Sequence, residues 1–192
     1  MRGRNLISFL LLCLLVIVAI ISTLTLTDQT DQQTTTKACH EQKDKGGNLQ
    51  VGSCAPNFRL PDLNGKPKEL YATNQKPTFI NFWATWCGPC QSELPYIEAA
   101  YKKYKNQVNF MMVNATSTER SEEDIIRFLK KNQYTFPVVL DRKSTNITFG
   151  KYKLVGIPVT LAIDPHGRIV YKRIGSIREK EVQQLMEQLV DH

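Results

Sequence analysis

The apolar and polar positions of this chain fall into a few clear blocks. Residues 6–21 are apolar except for Ser8, and extending the run through Leu26 gives 21 residues. As a helix that run is about 31 Å long, enough to cross a bilayer core. Residues 27–50 are polar and show no apolar period, so they read as a flexible tether. Asn64-Gly65, between short apolar runs, signals a tight hairpin. Thr78 to Ala84 is almost continuously apolar and rich in β-formers, as a buried central strand would be. The next stretch places Leu94, Ile97, Tyr101 and Tyr104 on one helical side, with Pro95 inside it as an expected kink. Val108 to Val113 reads as a strand. Ser121 is a natural N-cap, followed by Glu122, Glu123 and Asp124 and by a stripe of Ile125, Ile126, Phe128 and Leu129. Phe136 to Leu140 is a strand whose Pro137 indicates a strand start or a sheet edge. Residues 143–153 suit a short helix or irregular chain. Val159 to Ile163 and Arg168 to Ile174 flank an Asp164-Pro-His-Gly167 turn, and Val182, Leu185, Met186, Leu189 and Val190 form the stripe of a last helix. Strands alternate with helices, then a hairpin and a closing helix follow. The pattern predicts an α/β domain with a mixed sheet covered on both faces.

Charge orients the first block. Arg2 and Arg4 precede it and no acid appears before Asp28, so the bulk of the chain is expected outside the cytoplasm. A cleaved signal peptide is the rival reading. Its apolar core is normally shorter and ends in a small-x-small site, whereas here Ser-Thr-Leu-Thr-Leu-Thr follows a long core. The expected organisation is a cytoplasmic 1–5, a single-pass signal anchor 6–26, a tether 27–50 and a domain 51–192. The formal net charge of +7 reads as a solvated basic surface. No dense basic block with interleaved aromatics occurs, so nucleic acid is not an expected partner.

Five cysteines sharpen the chemistry: 13, 39, 54, 87 and 90. Cys13 falls in the anchor. Outside the cytoplasm an even four remain. Cys39 and Cys54 are candidates for a structural disulfide closing a loop of 16 residues, worth about 3 kcal/mol in chain entropy. Together with His40 they are also a weak metal-ligand set. Cys87-Gly-Pro-Cys90 has two readings as well. A zinc site needs partner ligands, but there is no second Cys-x-x-Cys, and His40, His166 and His192 are scattered. A redox site needs one sulfur at a helix N-terminus. The strand ending at Ala84 and the helix beginning near Gly88 or Pro89 place Cys87 there, where backbone N–H groups and the helix dipole favour its thiolate. Cys87 is then the attacking sulfur and Cys90, one turn further in, the resolving one.

Phe82-Trp-Ala-Thr-Trp-Cys-Gly-Pro-Cys90 resembles the thioredoxin-fold active site. With the apolar N-terminus and a long interval of 67 residues between Cys90 and Pro158, the chain resembles the membrane-anchored ResA/TlpA group of thiol–disulfide oxidoreductases. Ala55-Pro-Asn-Phe58 and Gly156-Ile-Pro158 carry the same resemblance. It implies a thioredoxin-like fold, a helix-plus-strand insertion at about 116–141, and a cis peptide before Pro158. Trp86, Gly88, Pro89, Ile157 and Pro158 would meet substrate, with the Ile157 backbone pairing with an extended segment. The aspartate that thioredoxin keeps behind its cysteines falls at Asn81, which takes no proton. The ResA-like group carries a glutamate at Glu93, which is expected to handle that proton; the alternative is an exposed first-turn glutamate that only favours the helix dipole.

The resemblance implies no cofactor beyond the Cys87–Cys90 disulfide, protein dithiols or disulfides as substrates, and a membrane electron donor of thiol-reductase type. Reduction of apocytochrome c cysteines is the usual role in that group. Gly-Pro between the cysteines resembles reducing thioredoxin, although ResA-like proteins often carry glutamate at the Gly88 position. A peroxidase would need a threonine three residues before a lone cysteine, where this chain has Ala84. A Sco-like copper carrier spaces its cysteines by three residues.

Overall fold

The computed structural model describes Leu14, Ile17, Cys39 and residues 49–72 and 76–191. The chain divides into two units, Met1–Ala38 and Cys39–His192. In the first, Leu14 and Ile17 are helical and exposed. Among the described residues no helix is long and apolar enough to cross a membrane. The rest of the expected anchor, with Cys13, lies outside the described residues.

The second unit starts inside the segment expected to be tether, and the reason is covalent. Cys39 is bonded to Cys54, and its N–H donates to the His166 carbonyl at 2.9 Å. It is buried against Gly167, where an added Cβ would lie 2.8 Å from that of Cys39, and where φ is +90°. Only glycine suits both the turn and the close approach.

Five strands form the central sheet in the order β5-β4-β3-β6-β7: β3 Thr78–Trp83, β4 Asn109–Asn114, β5 Val138–Leu140, β6 Val159–Ile163 and β7 Ile169–Ile174. The β3–β4 and β4–β5 pairs are parallel, and β3–β6 and β6–β7 are antiparallel. Every residue of β3 is buried, as its mostly apolar run predicts, and the burial takes in the polar Thr78 and Asn81 as well. Pro137 immediately precedes β5 at the sheet edge, where a missing N–H costs no ladder bond. A separate hairpin pairs β1 Arg59–Pro61 with β2 Pro67–Glu69. The hairpin expected at Asn64-Gly65 is present, with a turn wider than the tight one that signal implies. Five residues connect the strands, because Asp62 Oδ1 accepts the N–H groups of both Asn64 and Lys66 at 2.9 Å and holds a wider loop.

Alternation along β3 divides the core. Phe79 and Trp83 face the helices α1 Gly88–Tyr104, α2 Glu122–Asn132 and α3 Glu179–Val190, meeting Leu94, Ile97, Ile125, Val182 and Met186. Ile80 and Phe82 face the other way, onto Leu60, Leu70, Tyr152 and Leu154. That second cover comes from the hairpin and from a π-helical turn at Ile147–Lys151, where the sequence allowed a short helix. The buried Asp141 carboxylate sets this turn by accepting the N–H groups of Ile147 and Thr148. The fold is thioredoxin-like, with a mixed sheet flanked by helices. The stretch 116–141 supplies a 3-10 turn Thr116–Thr118, α2 and the edge strand β5. Ser121 caps α2 by accepting the Asp124 N–H at 3.3 Å.

Candidate active site

The buried run of β3 ends at Trp83, and a few residues later the chain turns into α1. Cys87 is the N-cap of α1, with extended backbone, and Pro89 sits in the first turn. Cys87 Sγ accepts the Cys90 N–H at 3.2 Å, so one orphan donor of the helix start points at this sulfur. Cys87 and Cys90 are disulfide-bonded, with Cα atoms 5.2 Å apart. Cys87 is 4% exposed and Cys90 is fully buried, so an attacking partner reaches the pair only from the Cys87 side.

Three segments converge around that opening. The Ile157–Pro158 peptide bond is cis, and the Ile157 carbonyl oxygen lies 3.8 Å from Cys87 Sγ. In the disulfide this is a contact; in the reduced thiol it becomes an acceptor for S–H. Trp86 stands 58% exposed beside the cysteines, and its indole N–H donates to Thr118 Oγ1 at 3.1 Å. The preceding residue is clamped. Glu119 accepts from Thr85 N at 2.7 Å, from Thr85 Oγ1 at 2.5 Å and from Asn114 Nδ2 at 2.8 Å. Two turns at the ends of β3 and β4 are thereby held together under the indole.

Behind the cysteines lies a buried polar cluster. Glu93 follows Cys90 by three residues, hence on the same side of α1, and is fully buried. Its Oε1 accepts from Asn81 Nδ2 at 2.7 Å and its Oε2 from the Ile177 N–H at 2.7 Å. Asn81 also donates to Thr160 Oγ1 at 3.0 Å, across the β3–β6 register that pairs these two residues. Burial pushes the Glu93 carboxyl up to about 7, against the two hydrogen bonds that pull it down. Among the described residues, no group of three or more His, Cys, Asp or Glu is gathered as metal ligands.

A redoxin family model matches residues 50–189. The chain belongs to the redoxin family. It is 34% identical over 139 residues to the thioredoxin-like protein YneN of Bacillus subtilis, covering 72% of this chain and 80% of that one. It is 37% identical over 142 residues to a thiol-disulfide oxidoreductase ResA of Bacillus cereus, covering 73% and 79%. Among solved structures, StoA from Bacillus subtilis matches with a TM-score of 0.60 at 28% identity, over 70% of this chain and 98% of that one. A thiol:disulfide interchange protein from Bacteroides sp. matches with a TM-score of 0.65 at 27% identity, over 75% and 92%. This redoxin is a thiol–disulfide oxidoreductase.

The redoxin fold brings Trp86, Cys87, Cys90, Ile157 and Pro158 to one end of the sheet. Gly88 and Pro89 form the first turn of α1, and a Cβ at Gly88 would meet no atom within 4 Å. Glu93 lies beneath, not at the surface, so the exposed first-turn alternative does not describe it. Cys39 and Cys54 lie elsewhere, at the β6–β7 turn. Sequence reasoning passed over Glu119, Thr160 and the Ile177 amide. Glu119 sits just ahead of the acidic first turn of α2 and carries no local mark of its contact 34 residues back with Thr85.

Proposed function

We propose that this redoxin is a membrane-anchored, extracytoplasmic reductase of protein disulfides, with Cys87 as nucleophile, Cys90 as resolving thiol and Glu93 as their proton carrier. The observation that carries the reading is the pairing of a helix-capping Cys87 with a fully buried carboxyl one turn behind Cys90. In the dithiol state the α1 N-terminus favours the Cys87 thiolate. That thiolate attacks one sulfur of a substrate disulfide, and the other substrate sulfur leaves as a thiolate and is protonated. Glu93 takes the Cys90 proton, and Cys90 attacks Cys87 Sγ. The second substrate thiol is released and the Cys87–Cys90 disulfide forms. Two electrons pass from the protein dithiol to the substrate, and a membrane thiol-reductase donor restores the dithiol. Trp86 and the Ile157–Pro158 backbone flank the opening through which substrate reaches Cys87.

The anchor rests on the apolar run 6–26 behind Arg2 and Arg4. It sets the oxidising location in which a reductase needs its own electron supply. Reduction is supported by the Gly-Pro between the cysteines and by the ResA-type relatives. The pathway we propose is one of the cytochrome c maturation type, with cysteine-bearing polypeptides as substrates.

Trapping tests the assignment. A full-length Cys90→Ala variant expressed in its own host lacks the resolving thiol. Mixed disulfides with substrate proteins are expected on Cys87 and can be identified by mass spectrometry. Their absence from Cys87, with the variant folded, overturns the order of attack.

A further inference from the structure

The cluster behind the cysteines holds one atom with no partner. Asn81 is fully buried in the middle of β3, its amide nitrogen gives both of its hydrogen bonds, and its amide oxygen receives none. The amide thus offers one end to Glu93 and Thr160 and leaves the other without a protein donor, and both ends are chemically able to face a carboxyl.

The hydrogen bonds describe the ionised form of Glu93. Both carboxylate oxygens accept, one from a backbone N–H and one from the Asn81 amide. When the carboxyl takes a proton, one of its oxygens becomes a donor. The Ile177 N–H is part of the backbone and cannot become an acceptor. The Asn81 amide can. A half-turn about its terminal torsion exchanges nitrogen for oxygen with no change of shape. The amide oxygen then accepts the carboxyl O–H, and Thr160, whose hydroxyl both donates and accepts, turns from acceptor to donor. One amide atom is unpaired in either orientation, so the site is not locked into one charge form.

We propose that Asn81 is a positioning residue that turns over with each proton Glu93 gains or loses, presenting nitrogen to the carboxylate and oxygen to the carboxylic acid. The inference rests on the proposed proton exchange between Glu93 and Cys90. Around Glu93 are Cys90, three residues before it on its own helix, Asn81 on β3 and the Ile177 amide before α3, which both donate to it, Thr160 on β6, which accepts from the same Asn81 amide, and the Tyr171 hydroxyl on β7, which feels the carboxylate charge. None of these described groups is a cation, so no fixed positive charge among them holds Glu93 ionised. Its titration near 7 keeps both forms within reach.

The test is nuclear magnetic resonance on the oxidised full-length chain in detergent micelles, with labelled asparagine, between pH about 5 and about 9. Above the Glu93 midpoint the Asn81 amide protons should show a strong Overhauser contact with the Thr160 methyl group. Below it that contact should be lost, and the Asn81 signals should shift with the same midpoint as the Glu93 carboxyl carbon. In Glu93→Gln both should become independent of pH. If the Glu93 carbon titrates while the Asn81 signals and contact stay fixed, the amide does not turn and the proposal fails. If the Glu93 carbon does not titrate in this range, the proton-carrier reading fails first and takes the proposal with it.

Discussion

Replacing Glu93 with glutamine should change how the stability of this protein depends on pH. In the unfolded chain the carboxyl has its ordinary value of 4.5, and in the fold burial pushes it up to about 7. The folded state therefore holds the proton more tightly. Its contribution is fully present below about pH 4.5 and is lost as pH rises through 7. The gap between those values is worth about 3 kcal/mol. Glutamine stays neutral throughout and keeps an oxygen for the Ile177 N–H. The assay is urea unfolding of the oxidised wild type and of Glu93→Gln, each at pH about 4 and about 8.5, assuming two-state behaviour. Every other titrating group is common to both proteins and cancels in the comparison. Between the two conditions the wild type should lose about 3 kcal/mol relative to the variant. Parallel behaviour of the two proteins, within about 0.5 kcal/mol, would refute the burial argument for Glu93.

Two further outcomes follow from other parts of the structure. Replacing Cys39 and Cys54 together by serine should lower unfolding stability by about 3 kcal/mol, the chain entropy of a closed loop with a sequence separation of 15. The rate of disulfide exchange at Cys87 should not change, since the pair lies at the far end of the sheet. Urea midpoints and a model-disulfide assay check the two halves. Gly88→His has open space for its side chain and places an imidazole beside the Cys87 thiolate. Equilibration with glutathione should show the reduction potential rising by about 30 mV or more, a tenfold or larger change in equilibrium constant; an unchanged potential would show that charge at position 88 does not reach Cys87.

Much of this architecture is legible because burial leaves a period in the chain. The largely apolar β3, the α3 stripe ending at Leu189 and the edge proline before β5 each follow from one local rule. Cys87 is legible for the same reason: the strand end and the helix start are both written within a few residues of it. What is not legible depends on meetings at long range. Glu93 is compatible with surface or interior until the Ile177 amide, 84 residues away, supplies a buried donor. Glu119 becomes a clamp only because β3 and β4 end side by side, with Trp83 paired to Asn114. The hairpin turn is wider because one carboxylate, Asp62, outcompetes the Asn64-Gly65 signal for the same amides.

The Cys39–Cys54 bond also decides where mechanical load enters the domain. Phe82 pairs with Val159 at one end of the β3–β6 register and Thr78 with Ile163 at the other. The cysteine pair of the active site follows the first end, and the His166 turn that holds Cys39 follows the second. A pull on the chain upstream of Cys39 therefore passes through a covalent bond to Cys54, and through backbone hydrogen bonds into the β6–β7 turn, bypassing the residues between Cys39 and Cys54. Both attachments lie at the end of the β3–β6 pair opposite Cys87, so the disulfide acts as a strain relief that places the point of loading away from the active-site end of the sheet.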